Sequence, residues 1–173
     1  MKQNIIVALF DISSEAYQAF SELKAYSQTT DALVAQAVLI KKENGLIIPA
    51  ESTDFTANTA ESAWTGGLIG SLVGILGGPI GVLLGGAIGA LIGSDAGTAQ
   101  TLGEVSLLEN TAKKLDNGST AIIILAQESN EAVLDAFFHR FKTVILRQDA
   151  AVAQQDVLAA IEAQEEVARQ AHE

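Results

Sequence analysis

The chain contains no cysteine, which excludes a disulfide framework, a thiolate nucleophile and a thiolate metal site. Basic residues are also scarce: 10 Lys and Arg face 21 Asp and Glu, so the formal net charge is −11. Proteins that bind a phosphate backbone need a basic face, so this balance argues against a nucleic-acid partner. It also argues against electrostatic adsorption onto an anionic membrane surface, which juxtamembrane lysines and arginines would provide.

The sequence also lacks a recognisable catalytic or metal-binding motif. His139 stands alone among phenylalanines, His172 lies near the chain end, and neither has a second histidine at ligand spacing. No GxSxG nucleophile motif is present. The acidic cluster at 162–166 is typical of a solvated helix face, with Arg169 pairing locally. We therefore expect no enzymatic activity, no cofactor and no metal.

Two strand–helix–strand patterns recur in the chain. The first has the apolar strand "NIIVALF" at 4–10, a helix capped by Ser13 or Ser14, and a strand at 32–42. The second has a strand at 119–127, a helix capped by Asn130, and a strand that starts at 142. Two such units joined in one antiparallel sheet form a ferredoxin-like α+β fold. Because "NIIVALF" and "TAIIILA" are apolar at nearly every position, we expect the sheet to be covered on both faces.

Further elements surround these two units. "ENG" at 43–45 predicts a tight type I′ hairpin turn, followed by a strand at 46–50. Pro49 cannot donate a ladder hydrogen bond, so that strand should lie at an edge or end there. Helices are predicted over 99–115, where "DNG" ends the helix, and over 150–172.

The unusual part of the sequence is "GGLIGSLVGILGGPIGVLLGGAIGALIG" at 66–93, which contains no charged residue and eleven glycines. Nine of these glycines recur every four residues in two rows, a small-xxx-small pattern that lets helix backbones approach closely. The first glycine row is Gly66, Gly70, Gly74 and Gly78; the second glycine row is Gly77, Gly81, Gly85, Gly89 and Gly93. We expect both rows to be helix-packing and oligomerisation surfaces.

A break at Gly77-Gly78-Pro79 predicts two helices, over about 63–76 and 79–94, joined by a tight turn. Each would be about 21–24 Å long, whereas a bilayer core is about 30 Å thick. Three interpretations are open: a membrane hairpin with Trp64 at the interface, a hairpin packed against copies of itself within protein, or one kinked span. The third would place the two halves of one sheet on opposite sides of a membrane, and it conflicts with the predicted fold.

The last helix carries a narrow seam of mostly small residues at 3-4 spacing. The seam consists of Ala150, Ala153, Val157, Ala160, Gln164, Val167 and Ala171. It could pack either on its own domain or on a neighbouring subunit, and the pattern does not distinguish the two.

The chain resembles a family of small bacterial predicted membrane proteins of unknown function, in which a glycine-zipper hairpin is inserted into a ferredoxin-like domain. The resemblance covers nearly the whole chain and is carried by "NIIVALFDISSEAYQAFSELK", "ENGLI", the glycine segment at 66–93, "ENTAKKLDNGSTAIIILAQE" and the terminal helix. It implies membrane association and a link to stress responses. It implies no catalytic activity.

These observations divide the chain into two halves of an α+β domain at 1–56 and 99–149, a hairpin insertion at 57–98 and a C-terminal helix at 150–173. The leading hypothesis is a non-enzymatic, self-associating protein with a cytoplasmic α+β domain, whose hairpins insert in lipid and pack together. The alternative is a soluble, cytoplasmic homo-oligomeric scaffold or binding module with the hairpins buried in protein. The partners expected are therefore other copies of the chain and membrane lipid. We also expect the two halves to form their sheet without the insertion.

Overall fold

A computed structural model describes residues 1–26, 31–55, 62–78 and 107–172. The strands in these ranges are β1 (Lys2–Phe10), β2 (Ala32–Glu43), β3 (Leu46–Asp54), β4 (Thr120–Glu128) and β5 (Thr143–Asp149). The helices are α1 (Ser13–Ala25), α2 (Ser62–Leu76), α3 (Leu107–Lys114), α4 (Ala132–Phe138) and α5 (Ala150–Gln170).

The strands form one antiparallel sheet in the order β3-β2-β4-β1-β5. Without β3, this is the order of a ferredoxin-like sheet built from the units β1-α1-β2 and β4-α4-β5. The prediction of an α+β fold of this kind is confirmed. Strand β3 adds a fifth strand at one edge, and β5 forms the other edge.

The hairpin that adds β3 has the predicted turn. Asn44 and Gly45 both have positive φ, 53° and 80°, as a type I′ turn requires. Pro49 lies on the edge strand β3, opposite Ile40, as its missing donor demands. Ala50 is bulged, because the register passes from the pair Leu39–Glu51 to the pair Ile40–Pro49.

Both faces of the sheet are covered, as the unbroken apolar strands predict. On one face, Ile6, Ile122 and Ile124 pack against Phe20 of α1 and Phe138 of α4. On the other face, Ile5, Val7, Ile123 and Leu125 pack against side chains of α2, α3 and α5. The second face is thus covered by helices of the same chain.

The structure corrects some of the predicted helix ends and agrees with others. Neither Ser13 nor Ser14 caps α1: the N-cap position is Ile12, with no side-chain cap, and the Ser13 hydroxyl donates to the Gly118 carbonyl at 3.1 Å. The N-cap position of α4 is Glu131, with no side-chain cap, but Oδ1 of the preceding Asn130 accepts from the Ala132 N–H at 3.0 Å, close to the predicted role. Gly118 has a φ of 84°, consistent with the predicted glycine turn. Helix α3 begins at Leu107, and residues 99–106 of the predicted helix lie outside the described ranges.

Candidate functional site

Helix α2, the first half of the glycine segment, belongs to the hydrophobic core. It packs over β2, β3 and β4 and beside α3 and α5. Its large side chains on the sheet side are at most 8% exposed, namely Leu68, Ile69, Leu72, Ile75 and Leu76. These residues join the sheet residues in one apolar cluster, so α2 completes the core of the domain rather than projecting from it.

The opposite side of α2 carries Gly70 and Gly74 of the first glycine row. Gly70 and Gly74 are both exposed, and a Cβ atom built on either would meet no atom within 4 Å among the described residues. The neighbouring Gly67 is exposed in the same way. Missing side chains on this side are therefore not explained by packing inside the described domain, since larger residues would fit there.

The glycines after α2 have a different environment. A Cβ atom at Gly77 would lie 2.6 Å from the carbonyl oxygen of Ile47, closer than real Cβ contacts come. A Cβ atom at Gly78 would lie 3.1 Å from the Gly74 carbonyl oxygen and 3.8 Å from Oε1 of Gln164. Gly77 therefore allows the chain to leave α2 in close contact with β3, and this glycine is required by the fold itself.

The remaining predicted packing residues are not described. Gly81, Gly85, Gly89 and Gly93 lie outside the described ranges. Trp64 and Gly66 belong to the backbone of α2, but their surroundings are not described either. The interface role predicted for Trp64 therefore stays a prediction.

A groove of about 420 Å³ runs beside the exposed glycines, between α2 and the β2–β3 hairpin. Its α2 wall consists of Ile69, Gly70 and Val73. Pro49 and Ser52 belong to the opposite wall. The exposed surface thus combines a flat glycine stripe with an adjoining depression that has mainly apolar walls.

The small-residue seam of α5 packs on its own domain. Ala150, Ala153 and Val157 are at most 3% exposed and belong to the same cluster as α2, and Ala160 packs against that cluster. For these four residues, the choice that the sequence left open is settled in favour of their own domain, whereas Ala171 is exposed. The outer side of α5 carries Leu158, which is 56% exposed.

A buried polar network lies at one end of the sheet, and no sequence motif predicted it. Glu128, at the end of β4, has a side chain only 1% exposed. Arg147 of β5 donates to it from Nε at 3.0 Å and from Nη2 at 3.1 Å, and Asn4 of β1 donates from Nδ2 at 2.8 Å. Nη2 of Arg147 also donates to Asp135 of α4 at 2.7 Å. The network ties three strands and one helix together.

The electrostatics of this network favour a structural role. Burial alone would lower the pKa of Arg147, but its hydrogen bonds to Glu128 and Asp135 outweigh that effect and raise the pKa. The guanidinium therefore stays charged and fully engaged, and no nucleophile or free base is created. The sequence signal was present but ambiguous: Asn4 and Glu128 are polar residues at the ends of otherwise apolar strands.

A second groove, of about 470 Å³, lies between α1 and α4 on the opposite face of the sheet. Its lining includes Tyr26 and Phe137, whose rings meet edge to face at 5.2 Å. Arg140 lies over the Phe137 ring at 4.6 Å and pairs with Glu22 at 2.7 Å. The arginine charge is thus already matched by a carboxylate.

Other predicted features concern metals and membrane spans. In the part of the chain that the structure describes, no group of three or more histidine, aspartate or glutamate residues is placed to hold a metal ion. His139 is exposed at the end of α4. Within the same ranges, no helix has both the length and the apolar character required for a membrane span.

The fold and the glycine-bearing helix define a class: an α+β sheet protein in which a small-residue helix covers one face of a ferredoxin-like sheet. The family model described as "Protein of unknown function (DUF1269)" matches residues 63–162, more than half of the chain. The chain belongs to this family. The matched segment begins in α2, ends in α5 and includes Glu128 and Arg147. No curated protein and no solved structure matches the chain.

Proposed function

We propose that this chain is a non-enzymatic, self-associating protein, and that the exposed glycines of α2 form its contact surface. The observation that carries the proposal is the division of α2 into two unlike sides. Its large apolar side chains are buried against the sheet, whereas Gly70 and Gly74 face outward, and no atom of the described residues lies within 4 Å of a Cβ built on either.

This division has a physical cost that self-association would offset. Each glycine inside a helix lowers helix stability by about 1 kcal/mol relative to alanine. A flat glycine surface allows a second helix to approach its backbone closely, which increases dispersion contacts and weak Cα–H···O bonds. The partner that we propose is the same surface on another copy of this chain.

The surroundings of the contact favour a homo-oligomeric scaffold in which α2 stays in the protein core. For α2 to enter lipid, Leu72 and Leu76 would have to leave the sheet, and the apolar face that includes Ile5 and Ile123 would be exposed to water. Burying that face is worth about 25 cal/mol per Å², so withdrawal would be costly.

Insertion in lipid is the second candidate, and it rests on the sequence of residues 79–93. This stretch contains no charged residue and four of the nine regularly spaced glycines. In this candidate, α2 remains on the sheet and the lipid contact comes from the chain beyond Gly78. A stress-related role belongs to this candidate only through the resemblance.

Light scattering after size exclusion in mild detergent tests the self-association. The parent chain is expected to form an oligomer of 18 kDa subunits, and Gly74→Ile is expected to lower its mass without change in far-ultraviolet circular dichroism. Ala159→Ile, at an exposed small residue on α5, is the matched control and should assemble like the parent. A monomeric parent, or a Gly74→Ile variant that assembles fully, would refute the proposal.

Carbonate washing of cell membranes separates the two candidates. A scaffold is expected in the supernatant, whereas a protein anchored in lipid stays with the pellet. The same fractionation of Gly74→Ile shows whether membrane retention depends on assembly. Retention of both proteins in the pellet would favour the lipid candidate.

A further inference from the structure

The two edges of the sheet differ in how they present their backbone groups. Every edge strand has a row of N–H and C=O groups on its outer side, and these invite pairing with another strand. On β3, pairing is obstructed by Pro49, which lacks a donor, and by the bulge at Ala50. Lys24 and Glu51 add an ion pair beside the same strand at 3.0 Å.

Strand β5 has neither a proline nor a bulge, although Arg147 on it forms ion pairs with Glu128 and Asp135. All seven of its residues pair with β1 in an unbroken register, from Asn4–Asp149 to Phe10–Thr143. It contains the apolar sequence Val144-Ile145-Leu146, of which Val144 and Ile145 are β-branched. Val144 is 51% exposed, and within the described ranges no strand pairs with the outer side of β5. A regular, apolar, exposed edge is the type that pairs with another chain.

We infer that β5 is a docking edge for β5 of a second copy, which would extend the sheet from five to ten strands across a two-fold axis. This inference adds a second contact to the proposed self-association, at the sheet edge opposite β3. It does not involve the glycines of α2.

The pattern of side chains selects one register. Opposed residues of an antiparallel pair point to the same face, so a symmetric pairing must be centred on a single residue. Centred on Ile145, it places Ile145 opposite its copy, Val144 opposite the partner's Leu146, and Thr143 opposite the partner's Arg147. The central contacts are then apolar on both faces.

The neighbouring registers are less favourable. A pairing centred on Arg147 would place two like charges directly opposite each other, which is destabilising. A pairing centred on Leu146 would set Val144 against Gln148 and Ile145 against Arg147, and one centred on Val144 would set Ile145 against Thr143 and Leu146 against Lys142. With Ile145 at the centre, the two Arg147 residues are offset by four residues, about 13 Å along the strands. The charges and the apolar side chains therefore both favour pairing with a second copy in the register centred on Ile145.

Single cysteines test this register directly, because the chain has no other thiol. Opposed residues in an antiparallel pair have Cα atoms about 4.5–5.5 Å apart, within the range of a disulfide. Under mild oxidation, Ile145→Cys is expected to cross-link to itself, and a mixture of Val144→Cys with Leu146→Cys is expected to give the mixed dimer. Leu46→Cys, at a residue of β3 that is 49% exposed and lies outside the α2 groove, is the control and should remain monomeric on a denaturing gel.

A charge variant keeps the test independent of cysteine chemistry. Val144→Lys places a cation on the exposed edge. It is expected to raise the Kd of the dimer roughly tenfold or more. Leu46→Lys, its control at an exposed apolar residue on β3, is expected to have no effect. Circular dichroism confirms that each variant folds.

The same measurements in the Gly74→Ile background separate the two proposals. Cross-linking of Ile145→Cys that persists in this background supports the edge contact by itself. Cross-linking of Ile145→Cys no stronger than that of Leu46→Cys, with assembly still dependent on Gly74, refutes the edge contact and leaves the glycine contact standing. If Leu146→Cys or Val144→Cys cross-linked to itself more strongly than Ile145→Cys does, the proposed register would be wrong.

Discussion

Arg147 donates hydrogen bonds to both carboxylate oxygens of Glu128, from Nε at 3.0 Å and from Nη2 at 3.1 Å. The two residues lie on strands that are not neighbours in the sheet, since β1 separates β4 from β5. The ion pair therefore bridges across β1. With the glutamate 1% and the arginine 15% exposed, water screens this pair weakly.

Removing the arginine from this pair should be strongly destabilising. Arg147→Met leaves the Glu128 carboxylate buried without its counter-charge, so the free energy of unfolding is expected to fall by about 3–5 kcal/mol. Urea denaturation measures the change. Arg169→Met is the control, because its side chain is 73% exposed, and it should change stability by under about 0.5 kcal/mol. The double change Glu128→Met/Arg147→Met should cost less than Arg147→Met alone, and a larger cost would contradict this account.

Alanine substitutions should separate the glycines of the segment into two kinds. In the Gly74→Ile background, which removes the proposed contact, Gly70→Ala is expected to raise the free energy of unfolding by up to about 1 kcal/mol, because the exposed site has room and alanine favours helix. Gly77→Ala is expected to lower it by about 1–3 kcal/mol, because the methyl group would meet the Ile47 carbonyl. Thermal and urea unfolding measure both changes. Equal effects at the two sites would show that the close contact of Gly77 with β3 is not formed.

The core position of α2 can be checked with a large-to-small substitution. Leu72 is 2% exposed, so Leu72→Ala is expected to lower the free energy of unfolding by about 2–5 kcal/mol in the absence of lipid. Leu158→Ala, at a leucine 56% exposed on α5, should cost far less. Chemical denaturation of the two variants decides the question. A negligible cost at Leu72 would mean that α2 does not rest on the sheet in solution.

Replacement of residues 62–95 by a short Gly/Ser linker should disrupt the core of the domain, whereas the sequence alone predicts that the two halves still form their sheet. The replacement removes five buried α2 side chains from the core, so one face of the sheet becomes partly uncovered. We expect loss of a cooperative thermal transition and increased binding of a hydrophobic dye. A cooperative transition close to that of the parent would restore the view that the segment is an independent insertion.

The strand and helix pattern was accessible from sequence because it depends on local signals. The unbroken apolar runs that contain Ile6 and Ile123 predict strands covered on both sides, and Asn44-Gly45 predicts the turn that adds β3. The expectation about Ser13 was wrong because its hydroxyl bonds instead to Gly118, 105 residues away in sequence. No local pattern encodes such a contact.

The position of α2 was harder to predict for a related reason. Glycine spacing identifies a helix surface suited to close contact, but it does not say what lies opposite the other surface. Leu68 and Leu72 could equally face lipid or a sheet, since both environments favour apolar side chains. The network of Glu128 and Arg147 was also beyond sequence analysis, because it depends on strand order, which brings together residues 19 positions apart across β1.

The interior position of β1 between β4 and β5 determines when the sheet can close during synthesis. Both neighbours of β1 come from the second half of the chain, and 110 residues separate Phe10 from its partner Thr120. At about 5–20 residues per second, translation leaves β1 without a pairing strand for roughly 5–20 s. We expect ribosome-bound chains that end before residue 120 to have a protease-sensitive N-terminal region, and chains that extend well past residue 149 to be protected. The order of synthesis thus postpones the closure of the sheet until nearly the whole protein has emerged.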